Sequence, residues 1–199
     1  IAAVPTYVNY STAGATYSQD FDALISTGTV TLSGPGPFHL ADPQFAATPI
    51  TGWYFSKIGG SGSNALFRVD SGTGTSGSIY SYGSNGSTDR TLGTLASGST
   101  VSRFGAVIRN TTSGALDSFT ITFDGEQWRD GIGSSIAPNS LTFEYAVGVA
   151  PGGSIDSMGL AADTALNFTS PVANGPINGT ESAVDGNVAG RTAGITKTI

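Results

Sequence analysis

Apolar and polar residues alternate strictly over Phe119-Thr120-Ile121-Thr122-Phe123. A period of two is that of a half-buried β-strand, with Phe119, Ile121 and Phe123 facing a core and the threonines facing outward. Leu141–Val147 repeats the pattern, and Thr29–Leu32 carries a shorter version. Trp53–Phe55, Ala65–Val69, Val101–Arg109 and Phe119–Arg129 read as strands between Gly, Ser, Asn and Asp turns. Thr16–Leu24 alternates roughly, which places Tyr17, Phe21 and Ala23 on one side of a strand. The Gly/Ser-rich stretch from Gly72 to Ser87 holds Ile79, Tyr80 and Tyr82, so it predicts a strand between loops rather than a linker. No segment carries a helical period. The pattern predicts an all-β protein, an antiparallel jelly-roll-like β-sandwich over residues 16–199, preceded by an extended arm, Ile1–Ala15. No internal repeat or domain boundary is visible.

Composition supports that class. The 199 residues include 29 Gly, 25 Ser and 25 Thr, and only 11% are charged. A coiled coil or helical bundle would need far more Ala, Glu, Lys and Leu. Ten Phe, seven Tyr and two Trp are enough to build a core, so the chain is not a disordered tail. No run of about 18 apolar residues is present, which argues against membrane insertion. The net charge of −6 and six scattered Arg offer no cationic stripe for nucleic acid. With no Cys, thiolate chemistry and disulfides are excluded.

The lack of Cys, the low charge and the abundance of Ser, Thr and Gly suit an exported bacterial protein, extracellular or at the cell surface. Beginning at Ile1, the chain reads as a mature form after signal-peptide removal, or as a trimmed one. Asn9, Asn85, Asn110, Asn167 and Asn178 head Asn-X-Ser/Thr sequons, several of which arise by chance in so Ser- and Thr-rich a chain.

Few residues suggest chemistry. His39 is the only His, so a Ser-His-Asp triad would have to use it, but no nucleophile motif accompanies it. Gly72–Gly77 satisfies G-x-G-x-x-G without a βαβ unit and is an accident of composition. Glu126 and Asp130 flank Trp128 and Arg129, a pairing that a glycoside hydrolase would need. The favoured reading is a structural brace in which Glu126 pairs with Arg90 or Arg129 beside a core Trp128. Asp20 and Asp22, on one face of a strand, are the candidate calcium ligands, with a solvated strand end as the alternative. Apart from calcium no cofactor is implied. Trp53, Tyr54, Tyr80 and Tyr82 would stack on sugar rings if exposed, although core aromatics are the commoner case.

Several segments together resemble exported bacterial surface proteins of the PEP-CTERM or choice-of-anchor type. They are Ser18–Asp22, Tyr82–Ser84 running on to Thr88–Gly93, Gly125–Arg129, Ala165–Pro171, Asp185–Asn187 and Arg191–Thr192. The resemblance implies a jelly-roll-like sandwich, export and no established catalysis. Such domains continue past Ile195–Ile199 into further strands and a sorting tag that this sequence does not contain. Either the chain is trimmed, or it is part of a longer protein, or the domain is completed differently; in the third case a sandwich lacking its last strand exposes a sheet edge that a second copy can fill. Tyr7, Val8 and Tyr10 of the arm are the expected assembly residues, with Val8 and Tyr10 on one face. Head-to-tail contacts of this kind generate filaments. The sequence therefore reads as a non-catalytic structural or adhesive protein, homo-oligomeric or filamentous. The alternative is a carbohydrate-binding module whose partner is a polysaccharide.

Overall fold

The computed structural model describes residues 7–62, 66–131, 137–148, 155–156, 159–173 and 181–199. The described residues are nearly all β and sandwich-like, and no closed barrel forms among them. Its one helical turn among the described residues is a 3-10 turn, Thr164–Leu166. The chain forms two compact units, where one domain was expected from residue 16 onward. Unit 1 comprises Ile1–Asp70, Thr75–Leu116 and Gly148–Met158, and unit 2 comprises Ser71–Gly74, Asp117–Val147 and Gly159–Ile199. Each unit is assembled from three separate stretches, so no single linker marks the division in the sequence.

Among its described residues unit 1 carries nine strands: β1 Val8–Tyr10, β2 Thr29–Thr31, β3 Phe38–His39, β4 Trp53–Gly59, β5 Leu66–Asp70, β6 Ser78–Tyr82, β7 Thr91–Leu95, β8 Val101–Ala106 and β9 Ile108–Asn110. They form a four-stranded sheet β2-β5-β6-β7, a three-stranded sheet β3-β4-β8 and the pair β1-β9. Two pairs, β5-β6 and β1-β9, are parallel, which departs from the all-antiparallel expectation. A parallel pair needs a crossover rather than a tight turn. The β5-β6 connection supplies the intervening chain, residues 71–77, of which Ser71–Gly74 count with unit 2.

The core of unit 1 lies between its two larger sheets. Phe55 of β4 and Phe67 of β5 have ring centroids 5.4 Å apart, and Phe45, from the turn after β3, packs on both at 5.0 and 5.2 Å. Leu24, Leu32, Leu40, Ile50, Ile79 and Leu92 complete the cluster. Burying each Phe removes enough apolar area to contribute about 1.5–3 kcal/mol. All five residues of β6 are buried because it is a central strand, parallel to β5 and antiparallel to β7. On the core face of β8, the Ser102 hydroxyl is buried with no hydrogen-bond partner among the described residues.

Thr16–Leu24 is not a strand. Phe21 adopts a left-handed φ of 67°, and its carbonyl accepts from Leu24 N–H at 2.9 Å, closing a turn. The Phe21 ring lies edge-on to Trp53, with centroids 4.7 Å apart. That contact outweighs the weak alternation.

Unit 2 holds β10 Thr120–Glu126, β11 Arg129–Asp130, β12 Ser140–Leu141, β13 Glu144–Tyr145, β14 Ala161–Ala162, β15 Phe168–Thr169, β16 Ser182–Ala183 and β17 Arg191–Thr198. They pair antiparallel as β10-β17, β11-β16, β12-β15 and β13-β14. The predicted Leu141–Val147 strand is thus two short pieces. In the β10-β17 ribbon the expected facing holds: Ile121 and Phe123 are half-buried, while Thr120 and Thr122 are exposed. The outer threonines meet across the ribbon, Thr120 with Thr198 at 2.8 Å and Thr122 with Thr196 at 2.7 Å.

Two substitutions test the account of unit 1. Phe55→Ala is expected to cost about 3–5 kcal/mol by opening the aromatic cluster. Ser102→Ala removes an unsatisfied buried hydroxyl and is expected to be neutral or to stabilise by up to about 1 kcal/mol. Urea unfolding midpoints of the two variants should therefore move in different directions, or only the first should move.

Candidate functional site

The densest polar arrangement is in unit 2, around Gln127 and Trp128, where β10 passes into β11. Trp128 is buried, and its indole N–H donates to Glu126 Oε2 at 2.9 Å. The ring lies against Gly186, where an added Cβ would meet Cε2 at 2.4 Å. The Trp128 carbonyl accepts from Val184 N–H at 2.9 Å and crowds Gly72, at which a Cβ would lie 1.7 Å away. Gly190 is packed as closely against the Gln127 carbonyl. Gly72 and Gly190 are required because main chain approaches them this closely, and Gly186 because the indole does.

Gln127 was not foreseen as a site residue. It is buried, and its amide copies a strand pairing: Nε2 donates to the Val172 carbonyl at 2.8 Å and Oε1 accepts from Val172 N–H at 2.9 Å. Nε2 also donates to the Arg129 carbonyl at 3.1 Å. Arg129 donates to the Gly72 carbonyl at 2.9 Å and the Thr73 carbonyl at 3.2 Å, and forms an ion pair with Glu181. Val172 lies far along the chain from Gln127, so no local pattern flags the pairing.

The expected brace is therefore divided. Glu126, Trp128 and Arg129 come together in unit 2, with Glu126 on the indole and Arg129 paired to Glu181. Arg90 belongs to unit 1. It is 2% exposed and donates to the Ser81 hydroxyl at 3.0 Å and to the Ser81 carbonyl. Burial pushes its pKa down, opposed by the charges of Asp89 and Asp70. Asp130 is buried beside β16, paired in register with Ser182.

Asp20 and Asp22 are exposed and lie in the Phe21 turn, not on one strand face. Asp20 Oδ1 accepts from Asp22 N–H at 3.1 Å, and Asp22 Oδ1 accepts from Arg90 N–H at 3.1 Å. An oxygen of each is thus committed to main chain. Among the described residues no three His, Asp or Glu side chains gather as a metal site. Tyr54, Tyr80 and Tyr82 are buried, and Tyr80 stacks on Tyr82 with centroids 4.6 Å apart, so these rings offer no face to a sugar.

A second polar group in unit 1 lies on the outer face of β4-β8. Ser56 and Arg103 are cross-strand partners, and both reach Asp156, Ser56 Oγ at 2.5 Å and Arg103 Nη1 at 3.6 Å. His39 packs edge-on against Tyr54 at 4.4 Å, and burial lowers its pKa despite the nearby charge of Asp42. Ser56 donates directly to a carboxylate, not to an imidazole, so it is not arranged as an activated nucleophile.

The assembly residues sit on β1 and beside it. Val8 is buried, and β1 pairs in register with β9 of the same chain, Val8 opposite Ile108 and Tyr10 opposite Asn110. Tyr7 lies under the Arg109 guanidinium at 5.8 Å, and the Tyr10 hydroxyl donates to the Ala15 carbonyl at 2.8 Å. Residues 1–6 of the arm, Ala65 of the predicted β5 and the Asn178 sequon lie outside the described residues. Asn9, Asn85 and Asn110 are exposed, whereas Asn167 accepts from Phe143 N–H at 2.9 Å.

With this geometry in hand, comparison with known proteins returns no matching family model, curated protein or solved structure. No helix of the described residues is long and apolar enough to cross a membrane.

The unit 2 arrangement predicts specific losses. Gly186→Ala drives a methyl into the indole and is expected to cost about 1–3 kcal/mol, with a shift in Trp emission. Glu126→Gln keeps an acceptor for the indole and should be tolerated far better than Glu126→Ala.

Acid sensitivity follows from two carboxylates on the β10-β17 ribbon and beside it. Asp124 is held below the usual carboxylate range first by Gly194 N–H and then by the Arg191 guanidinium. Asp163 is held low first by the Lys197 ammonium, against the opposing effect of burial. Both bind protons more weakly when folded, so their stabilisation is present above the unfolded-chain value of about 4. It is lost as pH falls through the lower folded values. Unfolding midpoints across an acid series should drop in that window for the native chain, and less steeply for Asp124→Asn and Asp163→Asn.

Proposed function

We propose that this chain is a non-catalytic structural or adhesive component of a bacterial surface or matrix, exported and assembling with copies of itself. One observation supports this reading above others. The segments Gly125–Arg129, Ala165–Pro171, Asp185–Asn187 and Arg191–Thr192, on which the family resemblance rests, supply side chains and glycines that hold main chain to main chain. Gln127 holds Val172, and Arg129 holds Gly72 and Thr73. Polar groups used in this way build a durable scaffold.

Assembly would proceed by exchange of β1. Its seat is small: three register pairs to β9, whose own residues are exposed, and one buried side chain, Val8. The same pairing made to β9 of a neighbour replaces equal contacts, which makes exchange inexpensive. The low charge and the outer threonines limit repulsion between copies.

Negative-stain electron microscopy of concentrated protein, with intact mass on the same sample, is expected to show filaments. Single particles at every concentration would overturn the assembly reading. Gly52 provides a control, since its φ is +80° and an added Cβ would sit 2.3 Å from Val8 N. Gly52→Ala should unseat β1 in either arrangement, abolishing filaments while far-ultraviolet circular dichroism still reports β structure.

A further inference from the structure

We propose that Asn85 is a site of spontaneous backbone chemistry, converting to aspartate and isoaspartate through a cyclic imide while the protein stays folded. The reaction requires an Asn or Asp side chain free to turn back on the next main-chain nitrogen, and it proceeds best where the next residue is Gly. Four such pairs fall among the described residues: Asn85-Gly86, Asp124-Gly125, Asp130-Gly131 and Asp185-Gly186.

Tertiary structure separates them. Asp124 is tied to Arg191 and to Gly194 N–H, and Gly125 is buried so tightly that a Cβ would lie 2.1 Å from the Phe168 ring. Asp130 is itself buried. Asp185 Oδ1 accepts from Asn187 N–H at 3.0 Å, and Gly186 is pressed beneath Trp128. Asn139, also exposed and followed by Ser140, is held at both main-chain groups by Ser170.

Asn85 has none of these restraints. It is exposed at the tip of the turn between β6 and β7, which is closed by Ser87 N–H donating to the Ser84 carbonyl at 3.0 Å. Gly86 has φ +77° and nothing within 4 Å of where a Cβ would stand. Such tips reorient readily because little packing holds them. The Asn85 side chain has no hydrogen-bond partner among the described residues.

The step balances without any redox partner. Gly86 N loses its proton to base and attacks Asn85 Cγ. The bond from Cγ to the side-chain nitrogen breaks, and that nitrogen leaves as ammonia. Water then opens the ring at either carbonyl, giving aspartate or isoaspartate. Either product adds a negative charge to a chain already at −6. The isoaspartate form also inserts a methylene into the main chain of the turn. A surface protein that persists for long periods would accumulate this charge at the β6-β7 tip.

Tryptic cleavage at Arg68 and Arg90 releases Val69–Arg90, which contains one Asn and no Gln. After incubation of the folded protein in mildly alkaline buffer, this peptide is expected to gain the mass of one amide-to-acid conversion and to split into two chromatographic forms. Its converted fraction should exceed that at Asn139, and isoaspartate at Asp124, Asp130 and Asp185 should stay below it. Asn85→Gln should remove the shift from this peptide and leave the unfolding midpoint unchanged. The proposal is overturned if Val69–Arg90 stays intact in folded protein while it converts in urea-unfolded chain. It is equally overturned if the shift persists in Asn85→Gln, or if Asn85 carries a glycan.

Discussion

Phe45, Phe55 and Phe67 set the spacing between the two larger sheets of unit 1, and the rest of that unit is arranged to keep them dry. Each comes from a different element: a turn, β4 and β5. Their centroids lie 5.0 to 5.4 Å apart, and each ring is at most 1% exposed. A chain so rich in Gly, Ser and Thr has few large side chains to place, so the aromatic contacts cannot be spread thinly. This explains the wholly buried β6, whose Ile79 extends the cluster, and the acceptance of an unsatisfied Ser102 hydroxyl at its margin. It also explains the buried Arg90, which satisfies Ser81 on the same central strand.

Unit 2 answers the same scarcity differently. In place of a cluster of rings it uses glycines to bring main chain within reach, and polar side chains to fasten it. Gly72, Gly186 and Gly190 allow approaches that any Cβ would block, and Gln127 supplies the donor and acceptor that Val172 would otherwise seek from a strand. The carboxylate of Asp124 closes the bulge in the β10-β17 ribbon by meeting Gly194, which sits at φ +69°. Hydrogen-bonded fastening of this kind rigidifies what it joins.

Much of the strand content was legible because period-two alternation reports a half-buried strand directly. Thr29–Thr31, Trp53–Gly59, Leu66–Asp70, Ser78–Tyr82 and Thr120–Glu126 all lie where that alternation or a short apolar run places them. The failures share one cause. Thr16–Leu24 alternates, yet Phe21 gains more from packing edge-on to Trp53 than a strand would offer, and the turn it forms carries Asp20 and Asp22 away from a common face. Of the expected brace, the Glu126–Trp128 contact joins sequence neighbours, whereas Arg129 pairs with Glu181, far along the chain, rather than with Glu126. Arg90 falls in unit 1, a membership set by contacts among three separate stretches of chain. Gln127, Ser56 and Asp156 were silent, since each finds its partner between about forty and one hundred residues away.

The sequence by itself determined the class of this protein. Alternation, scarce charge, and Gly and Ser between apolar runs leave no fold but an all-β one, because both period and composition act locally. Tertiary structure decided the division into two units, the parallel pairing of β5 with β6, and the seating of β1 on β9. Among the described residues it also decided which Gly-adjacent side chain stays free, Asn85 rather than Asp124, Asp130 or Asp185. Those outcomes depend on what approaches each residue through space, and a chain of alternating positions does not specify its neighbours until the sheets have packed.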